Sequence, residues 1–243
     1  AYEQQTELIK DKTRGYWTKR ADSFSETRHE ELHSEQATYW RTEIARNLQL
    51  KKGMRILDVG CGAGYFEAIL APFGVQVTGV DLTPEMIEKG KALLARHHID
   101  AELLVMDAEN LEFPDESFDA VITRNLTWNL PRPDKAYKEW HRVLKPGGVL
   151  LNYDAEYAKG FHKYDQAENL AHERVEDSLV EECHNIYHML SVSALNRPEW
   201  DVKVLNEIGF RSVETDISAG DRLYSVRDQF YMPDRMFCIR AVK

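Results

Sequence analysis

The sequence predicts an α/β fold organised around a mostly parallel, doubly wound sheet. Residues 54–59 form an apolar run with the length and branching of a buried strand, and the stretch 60–64 that follows it contains three glycines. A helical pattern begins after the glycines, with Phe66, Ile69 and Leu70 on one face. This order of strand, glycine turn and helix lets a backbone approach a ligand closely at a helix N-terminus. Further apolar runs alternate with helical patterns downstream, as in sheets built from βαβ units.

The other elements follow from the same two periodicities. Residues 1–30 and 34–50 are helix-compatible, and Gly53 is expected to end the second helix. Thr83 and Pro84 have the residue types of an N-cap and a first helical position, so a helix is predicted to start there. Further helices are predicted at 133–144 and 198–208, further strands at 75–80, 101–106, 118–123, 149–153, 211–216 and 235–242, and a polar loop at 218–233.

The glycine turn differs from the fingerprint of dinucleotide-binding proteins in two ways. The pattern GxGxxG requires a glycine where this chain has Tyr65, and Asp58 closes the strand just before Gly60. A carboxylate at that point would repel a pyrophosphate but would pair well with a cation. The turn therefore predicts a ligand that is positively charged beside the loop. A turn whose glycines serve packing alone is the alternative.

Composition and charge narrow the class of protein. Of the 243 residues, 43% are hydrophobic and 30% are charged, which is typical of soluble globular domains. The net charge of −10 argues against nucleic acid as a partner, because phosphate binding needs a basic surface. Three cysteines without paired spacing favour a reducing compartment. Because the sequence has neither a bilayer-spanning apolar run nor a signal-peptide pattern, we expect a cytoplasmic protein with no membrane partner.

Four motifs occur in order along the chain: DVGCGAG at 58–64, GVD at 79–81, MDAE at 106–109 and LKPGG at 144–148. In this combination the chain resembles the class I S-adenosylmethionine (SAM)-dependent methyltransferases. Within that class it is similar to the small-molecule group that includes ubiquinone and menaquinone methyltransferase-like enzymes. The resemblance implies a single domain over 1–243, with a Rossmann-like sheet and an antiparallel C-terminal strand.

The resemblance also implies roles for the residues that follow each strand. Asp81 stands about 20 positions after the first glycine, where one carboxylate can accept from both ribose hydroxyls. Met86 is expected against the adenine, Asp107 is expected to accept from the adenine amino group, and the backbone N–H of Ala108 is expected to meet a ring nitrogen. The predicted cofactor-binding residues are Tyr16, Arg20, Asp58, Gly60, Cys61, Gly62, Asp81, Leu82, Met86, Asp107, Ala108, Glu109, Arg124 and Asn125.

The N-terminal segment, residues 1–33, is expected to fold over the cofactor as a helical cap. Tyr16 and Arg20 share a helix face at i, i+4. By the resemblance, Tyr16 lies near the sulfonium and Arg20 reaches the methionyl carboxylate. An amphipathic helix that uses its aromatic residues as ordinary core contacts is the equal alternative.

The acceptor is expected beyond the carboxyl ends of the fourth and fifth predicted strands, where ligands bind in open α/β sheets. The predicted substrate contacts are Trp17, Trp128 and Tyr153. A general base is needed only if the acceptor keeps its proton at the working pH. The candidates for that base are Tyr16, Tyr153, Asp154 and His162.

The resemblance does not account for residues 155–197, which are predicted to form a helical lid with one helix over 165–193. The apolar face of that helix needs a surface to cover, and a homodimer interface is the alternative to a lid. His184 and His188 are spaced to hold a metal, but Cys183 points about 100° away from their shared face. We therefore predict no metal.

The sequence thus predicts an enzyme that moves a methyl group from SAM to a small molecule. A non-catalytic SAM-binding module is the first alternative. A nicotinamide-dependent oxidoreductase is the second, which Tyr65 and Asp58 disfavour. The acceptor and its attacking atom are left open.

Overall fold

A computed structural model of the chain describes residues 1–160 and 175–243. Over these residues one sheet is formed by β1 (Arg55–Val59), β2 (Gln76–Asp81), β3 (Glu102–Val105), β4 (Phe118–Arg124), β5 (Leu144–Asp154), β6 (Ser212–Asp216) and β7 (Phe237–Val242). The strand order is β3-β2-β1-β4-β5-β7-β6. Strands β1 to β5 are parallel, and β7 runs antiparallel to both of its neighbours. The predicted fold class and its antiparallel C-terminal strand are confirmed.

Helices cover both faces of the sheet. They are α1 (Tyr2–Leu32), α2 (Glu35–Asn47), α3 (Tyr65–Leu70), α4 (Pro84–Arg96), α5 (Pro133–Val143), α6 (Tyr157–Gly160), α7 (Asp177–Met189), α8 (Glu199–Ile208) and α9 (Ala219–Leu223). Ile56 packs in one core cluster with Trp40 of α2, and its neighbour Leu57 packs in the opposite cluster with Trp140 of α5. Adjacent residues of a strand point to opposite faces, so β1 is buried on both sides and reads as a continuous apolar run.

Some predicted boundaries are wrong for local reasons. Helix α2 ends at Asn47 and not near Gly53, because Leu48 already has extended backbone. Strand β5 begins at Leu144 and not at 149, because pairing with β4 continues across a shift of register between Phe118 and Ala120. Thr83 takes the N-cap position of α4, but its side chain makes no capping hydrogen bond.

The segment predicted as a polar loop, 218–233, contributes to the core. It contains α9, and its Leu223, Tyr224 and Phe230 side chains are buried. Gln36 of α2 donates from Nε2 to the carbonyl of Leu223 over 2.7 Å and fixes this segment against α2. Charged residues between the apolar ones conceal this burial in the sequence.

The insertion after β5 is helical where it is described. Within the predicted helix 165–193, α7 runs from Asp177 to Met189 and a short 3₁₀ turn (Ser191–Ala194) follows. The start of that predicted helix, and with it the base candidate His162, lies outside the described residues. None of the described helices combines the length and hydrophobicity that crossing a membrane requires.

Candidate functional site

A cavity of about 290 Å³ lies beyond the carboxyl ends of β1, β2 and β4, under α1 and α7. All the predicted cofactor-binding residues line it, together with the predicted substrate contacts Trp17 and Trp128. The four strand-end motifs are far apart in sequence, but parallel strands bring their carboxyl ends to one edge of the sheet. The placement of these residues agrees with the sequence analysis, and their roles stay predictions.

The glycine loop is shaped by backbone conformation and by Asp81. Gly60 and Gly62 have φ angles of 71° and 53°, which side chains with a Cβ rarely adopt. Asp81 Oδ2 accepts from the N–H of Gly62 over 2.9 Å, and Asp81 Oδ1 accepts from the N–H of Thr83 over 3.0 Å. Burial raises the pKa of Asp81 and these two N–H donors oppose the rise. Asp81 therefore fixes the loop and also faces the cavity.

Two buried carboxyl groups stand behind the loop. Asp58 is 2% exposed and Glu67 of α3 is 1% exposed. Asp58 Oδ2 and both carboxylate oxygens of Glu67 have no hydrogen-bond partner among the described residues. Burial raises the pKa of Asp58, and the neighbouring Glu67 raises it further. Burial also raises the pKa of Glu67 to about 7, so both carboxyl groups are less acidic than usual, and a cation beside Asp58 would oppose the rise in its pKa.

Lys10 closes the cavity at the β3 side, and sequence reasoning missed it. Its Nζ donates to Asp107 Oδ2 over 2.8 Å and lies 3.1 Å from Glu109 Oε1. Burial alone would lower the pKa of Lys10, but the hydrogen bond to Asp107 and the charge of Glu109 raise it. The signal was present in the sequence, because the residues of α1 that line the cavity recur every three or four positions: Lys10, Thr13, Tyr16, Trp17, Arg20, Phe24, Thr27 and Arg28.

The predicted pair on α1 is a direct contact. Arg20 Nη1 donates to Tyr16 Oη over 2.8 Å, and both side chains are buried. Burial raises the pKa of Tyr16 well above its ordinary value, and Cys183 of α7 adds to the rise. Tyr16 therefore stays a neutral phenol at physiological pH and is a poor general base. Arg20 Nε is buried without a partner in the described part of the chain, so it keeps a donor for a ligand.

Arg124 lines the cavity, but its guanidinium is already engaged. It pairs with the fully buried Glu31 at 3.1 Å, donates to Tyr224 Oη over 3.2 Å and lies 4.5 Å from the centre of the Trp40 ring. Burial disfavours charge on Glu31, but Arg124 and Arg28 outweigh burial and hold the pKa of Glu31 below its ordinary value. Arg124 therefore joins the end of α1 to the end of β4.

Tyr153 and Asp154 do not line the cavity, so their predicted placement at the acceptor is wrong. Tyr153 is fully buried in the α2 layer, where its Oη accepts from Asn47 Nδ2 over 3.1 Å. Asp154 points to the opposite face and accepts from Arg197 Nη1 over 2.7 Å and from the Trp128 backbone N–H over 2.8 Å. Burial raises the pKa of Asp154 to about 6, although Arg197 opposes the rise. Both residues are structural.

The far end of the cavity is aromatic. Trp128 packs edge-on against Tyr157 and Tyr187, with ring centroids 5.4 and 4.5 Å apart. Phe230, Met232, Pro233 and Asp234 complete the wall. Burial raises the pKa of Asp234 to about 6. Sequence reasoning missed this 230–234 wall because residues 218–233 were predicted to form a polar loop.

Comparisons with known proteins agree with this site. A family model described as a methyltransferase domain matches residues 57–152. A SAM-dependent methyltransferase from Aquifex aeolicus has a TM-score of 0.55 at 21% identity, over 83% of this chain and 88% of that one, which shows the same fold. Residues 57–152 therefore form a methyltransferase domain, and the chain has the fold of a SAM-dependent methyltransferase.

Curated relatives have more specific names. The chain is 40% identical over 120 residues to demethylmenaquinone methyltransferase of Staphylococcus epidermidis, covering 48% of this chain and 49% of the relative. It is 30% identical over 181 residues to 24-methylenesterol C-methyltransferase 2 of Oryza sativa, covering 73% of this chain and 47% of the relative. The chain thus spans about half the length of these relatives.

Proposed function

We propose that this protein is an enzyme that transfers a methyl group from SAM to a largely apolar small molecule, with both molecules bound in the cavity. One observation carries the proposal: the strand-end motifs and the aromatic wall line the same cavity. A protein that only bound SAM would not need the aromatic end of the cavity, which offers space for a second, apolar molecule.

The residues at the motif end fit both charged groups of SAM. Asp58 Oδ2 is a buried acceptor without a partner in the described ranges, and it suits an ammonium group. Arg20 Nε is a buried donor that also lacks a partner among the described residues, and it suits a carboxylate. Asp81 has lone pairs left for ribose hydroxyls, since each of its oxygens accepts only one backbone N–H.

We place the adenine of SAM at the end of the cavity where Lys10 meets Asp107. Lys10 and an adenine amino group can share Asp107, because a carboxylate offers about four lone-pair positions. Met86 is buried and lines this end of the cavity, where an apolar, polarisable side chain suits a flat ring.

The chain's own part in the transfer is to position the acceptor, exclude water and remove a proton. When bound, SAM supplies a methyl group on a positively charged sulfur. The thioether that remains after transfer is a good leaving group. Holding two reactants in line is worth up to about 7–11 kcal/mol in well-oriented models. Residues of α1 and α7 line the cavity, and closure of these two elements over bound ligands would exclude water from the reacting atoms.

Asp234 is the base that we assign to an acceptor that must lose a proton. With a pKa near 6 its carboxylate is mostly ionised at neutral pH, and it lines the aromatic end. The carboxylate takes the proton that the acceptor releases as its new bond to carbon forms. Asp234 replaces Tyr153 and Asp154 in this role, because both of those side chains face away from the cavity.

The walls must open to admit ligands, so we propose that 1–33 acts as a cap and 155–197 as a lid. On the described residues, the cap is held by Lys10 at one end and by Glu31 at the other. The lid meets the cap where Cys183 and Tyr187 approach Tyr16 and Trp17. A homodimer formed through the apolar face of the insertion is the alternative use of that segment.

We also propose a cytoplasmic location and no nucleic-acid partner. Three free cysteines are consistent with a reducing compartment. A net charge of −10 disfavours binding to phosphate backbones.

The test is transfer of tritium from [methyl-³H]SAM to acceptors of different polarity. The relatives' names suggest a short-chain demethylmenaquinol and a sterol with a side-chain double bond as apolar probes, and phosphoethanolamine is a water-soluble contrast. We expect label in an apolar probe and none in phosphoethanolamine. Asp234→Asn should lower kcat at least a hundredfold and leave SAM affinity unchanged. The control Asp221→Asn changes an exposed residue of the same segment and should leave kcat unchanged. Transfer to phosphoethanolamine alone would contradict the apolar acceptor.

A further inference from the structure

Three histidines meet outside the cavity, where the C-terminal ends of α1 and α4 pack together. His29 lies in the last turn of α1, His33 is its C-cap, and His97 is the C-cap of α4. One ring nitrogen from each histidine lies within 4.8 Å of the other two. The ring centroids are 4.8, 5.3 and 5.8 Å apart. None of the three side chains lines the cavity, so this cluster is separate from the site described above.

Two of the ring nitrogens are buried and unsatisfied. His29 Nδ1 and His97 Nε2 have no hydrogen-bond partner among the described residues. Buried polar atoms are nearly always paired, so two unpaired ring nitrogens in one cluster favour a bound ligand. His33 is exposed, which gives a metal ion a path of entry and leaves room for a water molecule as a fourth ligand.

We propose that His29, His33 and His97 form a binding site for a divalent transition metal, with zinc as the expected ion. Imidazole nitrogens suit zinc, copper and nickel, whereas magnesium and calcium require oxygen ligands that this cluster does not offer. Tetrahedral zinc with Zn–N bonds of 2.0–2.1 Å places ligand nitrogens about 3.3 Å apart. The three nitrogens now lie within 4.8 Å of one another, so binding requires all three rings to turn toward the ion by a small amount.

A metal at this point would fasten the cap. His29 follows Thr27 and Arg28, which line the cavity, and His97 belongs to the end of α4, whose start at Thr83 and Met86 also lines it. The ion would therefore tie the C-terminal end of α1 to the body of the fold. The proposal concerns metal binding and does not depend on which acceptor the enzyme uses.

The experiment is a titration of chelator-treated full-length protein with Co²⁺, followed by displacement with Zn²⁺. Cobalt in a tetrahedral nitrogen site gives visible absorption bands that octahedral aqueous Co²⁺ lacks at comparable strength. We expect one equivalent of Co²⁺ per chain, displaced by one equivalent of Zn²⁺. His33→Asn changes an exposed residue and should weaken binding at least tenfold with an unchanged circular dichroism spectrum. His97→Gln should do the same.

Two control variants separate this site from other histidines. His98→Asn alters the exposed neighbour of His97 at a φ of 54°, a conformation that asparagine tolerates, and it should bind cobalt as the native chain does. The double variant His184→Asn/His188→Asn removes the rival pair on α7, whose Nε2 atoms lie 2.8 Å apart, and it should also bind normally.

The outcomes decide the proposal. Loss of the cobalt bands in His33→Asn and His97→Gln, with the bands kept in both controls, supports it. A signal that survives His33→Asn and His97→Gln but disappears in the α7 double variant overturns it. Absence of tetrahedral bands in the native chain at saturating Co²⁺ also overturns it. As a second readout, zinc should slow amide exchange in residues 24–33 of the native chain and not of His33→Asn.

Discussion

The substitution Arg197→Met tests the buried charge network that supports the acceptor end of the cavity. Arg197 Nη1 donates to Asp154 Oδ2 over 2.7 Å, and its Nε and Nη2 donate to Asp201 over 3.0 and 2.8 Å. The guanidinium is 2% exposed and both carboxylates are 0% exposed. Methionine keeps much of the volume and removes the charge, so the variant leaves two buried carboxylates facing each other.

The expected loss of stability follows from those contacts. Removing one partner of a buried ion pair costs about 3–5 kcal/mol, because the remaining charge stays desolvated. Asp154 keeps the Trp128 N–H and Asp201 keeps the Tyr137 hydroxyl, so neither carboxylate is wholly orphaned. We therefore expect a loss near the lower end of that range at pH 7.5, together with loosening of the turn that carries Trp128.

The loss should grow with pH. Burial raises the folded pKa of Asp154 to about 6, above the ordinary value of 3.8, so the folded chain binds more protons than the unfolded chain between these values. This group's contribution to stability therefore falls as pH rises from about 4 to about 6. Without Arg197 the pKa of Asp154 in the folded chain rises further, so its contribution to stability continues to fall at higher pH. The difference between the native chain and the variant should be smaller at pH 5 than at pH 7.5.

Urea unfolding at the two pH values measures these differences. Arg211→Met is the matched control, because Arg211 is exposed and its side chain donates hydrogen bonds only to the carbonyl of Lys243 among the described residues. That control should change the free energy of unfolding by no more than about 0.5 kcal/mol. A loss below about 1 kcal/mol in Arg197→Met, or a loss equal at both pH values, would refute the reasoning.

Three further predictions follow from the site and its packing. We expect SAM binding to release protons, because a cation beside Asp58 lowers the pKa that burial has raised, and Glu67→Gln should reduce that release, because it removes the second buried carboxyl group; calorimetry in two buffers of different ionisation enthalpy measures the release, and an unchanged release in the variant would contradict the role of the pair. Lys10→Met should lower the free energy of unfolding in urea by about 1.5–3 kcal/mol. Lys19→Met removes an exposed ion pair with Glu182 and should lower it by less than about 1 kcal/mol. Equal effects of the two substitutions would contradict the buried role of Lys10. Gly79→Ala should destabilise the fold by about 1–3 kcal/mol, because a Cβ there would lie 2.6 Å from Leu103 Cδ2 and 2.8 Å from Cys61 Cβ. Gly15→Ala should stabilise the fold, because Gly15 lies within α1 and a Cβ there would meet open space. Thermal unfolding that ranks the two variants in the opposite order would refute this prediction.

The strands and the motif residues could be predicted because their signals are local. Asp81 ends β2 and Asp107 follows β3, and parallel topology alone brings these strand ends together. Tyr153 was misplaced because position at a strand end does not say which face a side chain takes. In β5, Tyr153 points to the α2 layer and Asp154 to Arg197, so neither side chain enters the cavity.

Residues supplied by distant elements could not be found in this way. Helical spacing places Lys10 on the cavity-facing side of α1, but that spacing does not identify its partner Asp107, which lies 97 positions away. Asp234 is one acidic residue among many until burial beside Phe230 and Met232 singles it out. The histidine cluster joins His29 and His33 to His97 across two helices, although only the first two are at helical spacing.

The central claim is that the acidic glycine loop and its neighbours bind SAM and not a dinucleotide. Isothermal titration of the full chain with SAM, repeated in the presence of excess NAD, tests it most directly. We predict one SAM per chain with a Kd in the micromolar range and no competition from NAD, because Asp58 favours a cation and repels a pyrophosphate. Tight binding of NAD with no binding of SAM would contradict the account.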